Sequence, residues 1–258
     1  MIMNETKIIC PICKTGLDID NKRAVCINNH SFDRAKEGYL NLLLNHPDSG
    51  DNKIMINARN NILEKGYFAP LLEKIISVLK TYNIDSLLDV GCGEGYYSRH
   101  LYNELKVPTY GIDISKYACL KASKLSKDIT YIVASSYELP FFDKSVDAII
   151  NVFAPHSFEL ERVSRRVIVK VVPNLYHLWE LKDLLYDEAY LKESNEGEFK
   201  TFSKKEEVLL SYKVTVDQLE DLVKMTPYYY KSKINSDIFS TSNLEMTMDF
   251  KIILYEPR

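Results

Sequence analysis

Three cysteines and a histidine stand close together near the start of the chain, in the stretch CPICKTGLDIDNKRAVCINNH. Cys10, Cys13, Cys26 and His30 follow the pattern C-x2-C-x12-C-x3-H. Each close pair on a turn-rich segment aims two soft ligands at one point, and two such pairs supply the tetrahedral set that zinc prefers. A second chemical signal lies in LLDVGCGEGYY, where Gly91, Gly93 and Gly95 follow an apolar run that reads as a strand. Glycines at such a place let a ligand approach the backbone and accept positive φ, and the helix that follows presents free N–H groups. A nucleotide-like cofactor suits that turn.

Two acids narrow the choice of cofactor. Asp89 stands two residues before the first glycine, and Asp113, 24 residues after Asp89, ends the next strand in TYGIDIS. A carboxylate at that strand end accepts hydrogen bonds from a ribose hydroxyl pair. Dinucleotide-binding turns run G-x-G-x-x-G, whereas this one is G-x-G-x-G with an acid before it. DVGCGEG is instead similar to motif I of the class I S-adenosylmethionine-dependent methyltransferases, in which the Asp and the glycines surround the methionine moiety. On that resemblance Ala134 and Ser135, ending the third strand, flank the adenine. Asn151 to Pro155, after the fourth, face the reacting centre.

The elements that must hold these groups follow from the pattern. Residues 1 to about 38 have no sustained hydrophobic period, only short β-prone pieces between turns, as expected of a ribbon or finger that folds around its metal. The string HPDSGDN reads as a loop and places a domain boundary there, giving a zinc-binding module over 1–46 and a second domain over 53–258. KIMINARNNILEKGYFAPLLEKIISVLKTY predicts a short helix, a break at Gly66 and a longer helix. Strands and helices then alternate as far as VDAIINVFAP and RRVIVKVV, which argues for a doubly wound, mostly parallel sheet. After Pro173 the pattern predicts helical stretches and one last alternating strand, LEMTMDFKIILYEP, running antiparallel. The fold class is therefore α/β, Rossmann-like, with a small N-terminal zinc-binding domain.

Composition sets limits. The chain has 258 residues, 46% of them hydrophobic, which is enough for a substantial core, and a net charge of −3. Its start lacks a signal-peptide pattern and no stretch reaches 18 uninterrupted apolar residues, so a cytoplasmic protein without membrane insertion is expected. In a reducing compartment the cysteines are poor disulfide candidates, leaving Cys92 and Cys119 as ordinary thiols. Six basic and six acidic side chains balance over the first 50 residues, so charge alone gives no case for nucleic acid.

Taken together, the zinc tetrad, FDRAKEGYLNLL, GDNKIMINARNNILEKGYF, LLDVGCGEGYY, IVASSYELPF, HLWELK and KMTPYYY resemble the bacterial 23S rRNA (guanine-N1)-methyltransferases over nearly the whole chain. The resemblance implies S-adenosylmethionine as cofactor, a structural zinc site in an RNA-recognition module, and a 23S rRNA hairpin as partner. It gives Phe68, Gly93, Glu94, Asp113 and His177 as cofactor contacts, beside Asp89, Gly91 and Ser135. Guanine N1 carries a proton at neutral pH, so His177, His156 or a nearby carboxylate is a candidate to assist its removal. Tyr228, Tyr229 and Tyr230 offer stacking surfaces for an unstacked base, and Arg162, Arg165, Arg166 and Lys170 are candidates to meet phosphate. The family's Pro-Gly-Gly turn before strand five is replaced by ERVSRRVIVK, which predicts a shorter connection. A small-molecule methyltransferase with a merely structural zinc module is the rival reading. Whether the chain forms a homodimer is left open by the sequence.

Overall fold

A computed structural model describes residues 7–44, 51–185, 191, 194, 196–217, 219–226, 229, 239 and 242–258. His46, Tyr228 and Tyr230 lie outside the described residues. The N-terminal part is a three-stranded antiparallel meander of β1 (Leu17–Ile19), β2 (Arg23–Cys26) and β3 (Ser31–Asp33). The turn between β1 and β2 is closed by the Asp20 carboxylate, which accepts from the backbone N–H groups of Lys22 (2.6 Å) and Arg23 (2.8 Å). The chain then leaves through β4 (Leu40–Asn41), which joins the large sheet.

Helix α1 (Lys53–Glu64) starts where the polar loop supplies a cap: Asn52 Oδ1 accepts from the N–H groups of Ile54 and Met55. It ends as expected at Gly66, whose φ of +81° is the left-handed turn that favours glycine. Helix α2 (Ala69–Leu79) follows, with Pro70 in its first turn. The two helices have 12 and 11 residues, so the first is not the shorter one.

From β5 (Leu87–Val90) the chain alternates through α3 (Tyr96–Leu105), β6 (Thr109–Asp113), α4 (Lys116–Leu125), β7 (Thr130–Val133), β8 (Val146–Val152) and α5 (Glu159–Val163) to β9 (Ser164–Pro173). Ser164 caps α5 and opens β9, which is the shortened connection expected there. Then come α6 (Trp179–Leu185), β10 (Phe202–Val216), α7 (Leu219–Lys224) and β11 (Leu244–Pro257). The sheet order is β10-β11-β9-β8-β5-β6-β7-β4; β4 to β9 are parallel to their neighbours, and β11 runs antiparallel to both β9 and β10. Strand β10 was not expected from the sequence. It is an edge strand that opens with a charged, exposed KKEE run and then alternates, Val208, Leu210, Tyr212 and Val214 packing against the core while the residues between them are exposed.

Chain order reverses at β5, which lies between β6 and β8, and a cleft opens outside the carboxyl ends of these strands. Alternate residues serve the two sheet faces. Leu87, Ala148, Ile150 and Val169 pack under α2 and α3, while Leu88, Val90, Ile149 and Ile168 form a second cluster. That second cluster also contains Ile8, Cys10, Leu17, Ala24 and Cys26, so the zinc module shares a core with the sheet. No helix among the described residues is long and apolar enough to cross a membrane.

At the opposite edge from the cleft, buried Asp147 collects four partners. It accepts from Asp85 N–H (2.9 Å) and Ser86 Oγ (3.1 Å), and pairs with Arg165 (2.6 Å) and Arg166 (3.2 Å). The two arginines thus lock the amino ends of β5, β8 and β9 and are not placed to meet a substrate at the cleft. Asp147→Ala is expected to lower unfolding free energy by about 2–4 kcal/mol, because buried donors lose their acceptor. Urea titration checks this, with cofactor affinity of the folded fraction unchanged.

Candidate cofactor cleft and zinc centre

The four N-terminal ligands converge. Cys10 Sγ lies 3.6 Å and Cys26 Sγ 3.4 Å from His30 Nδ1, and the Cys13 and Cys26 sulfurs are 3.6 Å apart. Zinc bonds of about 2.3 Å to sulfur and about 2.0–2.1 Å to nitrogen place tetrahedral ligands roughly 3.5–3.8 Å from one another, which these three spacings match, and all four ligand atoms lie within 4.8 Å of one another. Two left-handed residues shape the knuckles: Lys14, whose N–H bonds to Cys10 O, and Asn29, whose N–H bonds to Cys26 O. The Thr15 hydroxyl, 3.2 Å from Cys13 Sγ, helps pull that thiol down to about 5, toward the thiolate that binds metal. All five cysteines are free of disulfides.

The glycine turn is fixed to the end of the neighbouring strand. Gly91 N–H and Cys92 N–H both bond to Ile112 O (2.8 and 2.9 Å), and Gly93 N–H bonds to Asp113 Oδ2 at 2.9 Å. A Cβ at Gly91 would fall 2.4 Å from Ala154 Cβ, and one at Gly95 2.5 Å from the Tyr131 hydroxyl. Gly93 is different: its nearest neighbour is the Arg59 guanidinium at 3.6 Å, so it is the glycine with open space for a ligand.

Asp113 also accepts from Ser115 N–H (2.8 Å), and burial pushes its carboxyl up. Each oxygen retains a second lone pair for a ribose hydroxyl. Glu94 is 1% exposed and its Oε2 has no hydrogen-bond partner, an acceptor left waiting beside Gly93. Asp89 is placed otherwise. It is fully buried, its Oδ2 accepts from Ser98 Oγ at 2.6 Å, and burial pushes it up to about 7, so it ties β5 to α3.

Arg59 and Asp51 are an ion pair that sequence reasoning missed. Asp51 O also accepts from Ser115 Oγ at 2.7 Å, which brings the start of α1 against the end of β6. The only signal was their place within GDNKIMINARNN, one of the stretches carrying the family resemblance. A 420 Å³ cavity is lined by Ile114, which follows Asp113 in the chain, and by Ala134 and Ser135, the two positions expected to flank adenine. That volume suits a small ligand.

On the other side of the turn, Ala154 packs against Gly91 and leads back to an aromatic group. Phe153 and His177 stack at 6.0 Å with 18° between their planes; Phe68 and Phe250 complete the group, with Phe250 4.7 Å from His177. Phe153 is 41% exposed and held at φ +54°, a left-handed conformation costly for a bulky residue. Burial, then Lys182, pulls His177 down to about 3, so it is neutral. Its Nδ1 accepts Asp249 N–H at 3.4 Å, which assigns the ring proton to Nε2.

His156 belongs to a separate group, 4.7 Å from Phe199 and 5.4 Å from Phe158, with its ring packed over Gly197. The structure therefore does not pair the two histidines. Nor are the basic residues of this region free for phosphate: Arg162 is clasped by Glu159, Asp143 and the carbonyls of Leu139 and Phe141, and Lys170 is 2% exposed.

Fold and site together define a class I S-adenosylmethionine-dependent methyltransferase carrying a zinc ribbon. Residues 8–46 match the zinc-ribbon family described as RlmA, N-terminal, and residues 88–172 match the methyltransferase domain family. The chain is 30% identical over 268 residues to Bacillus subtilis (strain 168) YxjB, named "Putative 23S rRNA (guanine-N(1)-)-methyltransferase", with 95% of each chain covered. It is 31% identical to the 23S rRNA (guanine(748)-N(1))-methyltransferase of Streptomyces fradiae, over 68% of this chain and 66% of that one. A Micromonospora griseorubida protein with the same name as the Bacillus one, YxjB apart, is 33% identical over 68% of each chain. The chain belongs to the 23S rRNA (guanine-N1)-methyltransferase family.

Asp113→Ala is expected to weaken binding of S-adenosylhomocysteine by roughly 10- to 100-fold, the size of a lost charged hydrogen-bond pair. Calorimetric titration measures it, and an unchanged affinity would remove Asp113 from the cofactor site.

Proposed function

We propose that this chain transfers a methyl group from S-adenosylmethionine to N1 of a guanine in a hairpin of 23S rRNA, in the cytoplasm. Residues 1–46 serve as the zinc-ordered RNA-recognition module and residues 53–258 as the catalytic domain. The observation that carries this reading is the joining of a complete zinc tetrad and an acid-flanked glycine turn in one chain, as part of a likeness that covers 95% of both this protein and its Bacillus relative.

The cofactor, when bound, supplies a methyl group on a positively charged sulfur. Asp113 holds its ribose, Ser135 flanks its adenine, and Gly93, Glu94 and Phe68 border the remainder. The protein must align the guanine N1 with that methyl and exclude water. It must also favour loss of the N1 proton. His177, being neutral with its proton on Nε2, is a weak base; we assign it as a hydrogen-bond donor to guanine O6, where negative charge gathers as the N1 proton leaves. Such a donor makes N1 more acidic without taking the proton itself, which passes to solvent. His156, held in its separate aromatic group, is given no step.

A hairpin guanine has to leave its stack, which requires a compensating surface. Phe153 is the side chain placed for this. It is exposed, strained and braced on His177 at the mouth of the glycine turn, and strained residues of this kind persist where function needs them.

Incubation with labelled S-adenosylmethionine and unmodified large-subunit rRNA is expected to give 1-methylguanosine on nucleoside digestion and mass spectrometry. Label that stays off RNA while the cofactor still binds would shift the assignment to a small molecule. Single-turnover rates are expected to rise with pH above neutrality as guanine N1 gives up its proton to solvent, with no inflection from His177, which is already neutral there, and His177→Phe should lower the rate about 10²-fold, with Gln restoring part of it. Phe153→Leu should raise the KM for RNA by roughly 5- to 100-fold, as befits a lost base stack. Phe153→Trp should retain activity, and Phe153→Gly should lose it without a lower melting temperature.

A further inference from the structure

We infer that the zinc ribbon is one wall of the cofactor's adenine pocket, so that zinc occupancy sets cofactor affinity. The inference rests on the cofactor reading given above.

The 420 Å³ cavity is built by two parts of the chain. The segments that follow β6 and β7 supply Ile114, Ala134, Ser135, Glu138 and Pro140; the ribbon and its exit segment supply Pro11, Lys14 and Leu42 to Leu44. Most of these side chains are apolar, which suits a flat heteroaromatic base, and Ile114 directly follows in the chain the acid assigned to the ribose. Pro11 sits between the zinc ligands Cys10 and Cys13, and Lys14 follows Cys13 directly. The knuckle that binds zinc is thus the same piece of backbone that closes the cavity.

Backbone bonds fix the ribbon against the sheet at this place. Ile9 N–H bonds to Pro140 O (2.9 Å), Phe142 N–H to Lys7 O (3.1 Å) and Leu42 N–H to Val133 O (3.0 Å), while β4 pairs with β7 through Leu40 and Asn41. Lys14 Nζ also reaches Glu138 Oε1 at 3.1 Å across the rim, but both side chains are exposed, and such a pair contributes little. The flanking bonds hold the two ends of the ribbon; the Cys10–Cys13 turn between them has its own backbone bonds (Lys14 N–H to Cys10 O, 2.9 Å; Cys10 N–H to Thr15 O, 2.7 Å), and the metal is what ties that turn to Cys26 and His30. Without zinc three sulfurs and an imidazole are packed together with no ion to bind them, and the wall at Pro11 and Lys14 loses definition. A cofactor that binds only the ordered wall must then order it, at a cost in affinity. Linkage requires the reverse effect to be equal: bound cofactor must tighten zinc by the same factor.

The test uses the full chain. Titration with S-adenosylhomocysteine is expected to show at least tenfold weaker binding after zinc is stripped with a chelator, restored when zinc is returned. Saturating S-adenosylhomocysteine should lower the zinc dissociation constant, read by competition with a chromogenic chelator, by the same factor. Equal affinity in the stripped and loaded forms would overturn the inference. Because the ribbon shares a core with the sheet, stripped protein that unfolds would be no use, so Leu44→Ser in the zinc-loaded protein is the second arm. Leu44 is 55% exposed, so this change should leave zinc content and melting temperature as they are while weakening S-adenosylhomocysteine three- to tenfold. Unchanged affinity in that variant also overturns the wall. Failure of the loaded wild-type chain to bind S-adenosylhomocysteine at all would instead overturn the cofactor reading beneath it.

Discussion

Three consecutive backbone N–H groups, those of Gly91, Cys92 and Gly93, are all bound by the end of β6. Much of the site depends on this. The first two meet the carbonyl of Ile112 and the third meets the side chain of Asp113, so the turn after one strand takes its shape from the next. A turn held this way cannot relax toward solvent when no ligand is present, which reduces the ordering that binding must supply. It also explains why three glycines are needed: all three have positive φ, and two of them would drive a Cβ into Ala154 or Tyr131. Asp113 then has two duties, since the carboxylate that shapes the turn is also the one assigned to the ribose. Asp89, the other acid of the motif, supports the same turn from inside by its bond to Ser98.

The relation of ribbon to sheet follows from burial. A 39-residue match to a zinc-ribbon family is too small a unit to bury a core of its own, and here it does not have to. Cys10 and Cys26 are in the same apolar cluster as Leu88, Val90 and Ile112. Two of the four metal ligands are therefore also core residues of the methyltransferase. Zinc in this protein organises a surface that is continuous with the catalytic domain, and ligand binding at one is bound to be felt at the other.

Much of this was legible in the sequence because the signals were local. The C-x2-C and C-x3-H pairs fix their own geometry within a turn, and the glycine turn with Asp113 follows from strand and helix periodicity. What was not legible arrives through contacts between distant segments. Arg59 and Asp51 flank the cofactor turn only because α1 folds over it, and nothing in their spacing says so. Arg165 and Arg166 looked available for phosphate, since their partner Asp147 comes from the neighbouring strand and is invisible in the local run. Strand β10 was missed because its first half is a charged KKEE run, although VLLSYKVTV after it alternates with Val208, Leu210, Tyr212 and Val214 against the core. Both His177 and His156 were candidates for the base, His177 alone being favoured by the family resemblance, and packing separates them: one stacks on Phe153, the other packs on Phe199.

The same packing bears on how a chain of net charge −3 can hold RNA. The basic residues clustered after α5 are committed to Asp147, to Glu159 and Asp143, or to the interior. Lys14, on the ribbon, is paired with Glu138. The basic residues that the sequence offered for phosphate are therefore not free to neutralise it, which weakens the case for counterion release through them. Recognition has to draw on shape and stacking, which single-stranded loops of RNA offer and duplexes do not. Exposed Phe153, Tyr137, Phe158 and Tyr176 follow strands β7, β8 and β9 at the carboxyl edge of the sheet, where the cleft opens. An aromatic rim around the cleft favours a base already splayed from its hairpin, and it discriminates against the far larger amount of regular helix in the same RNA.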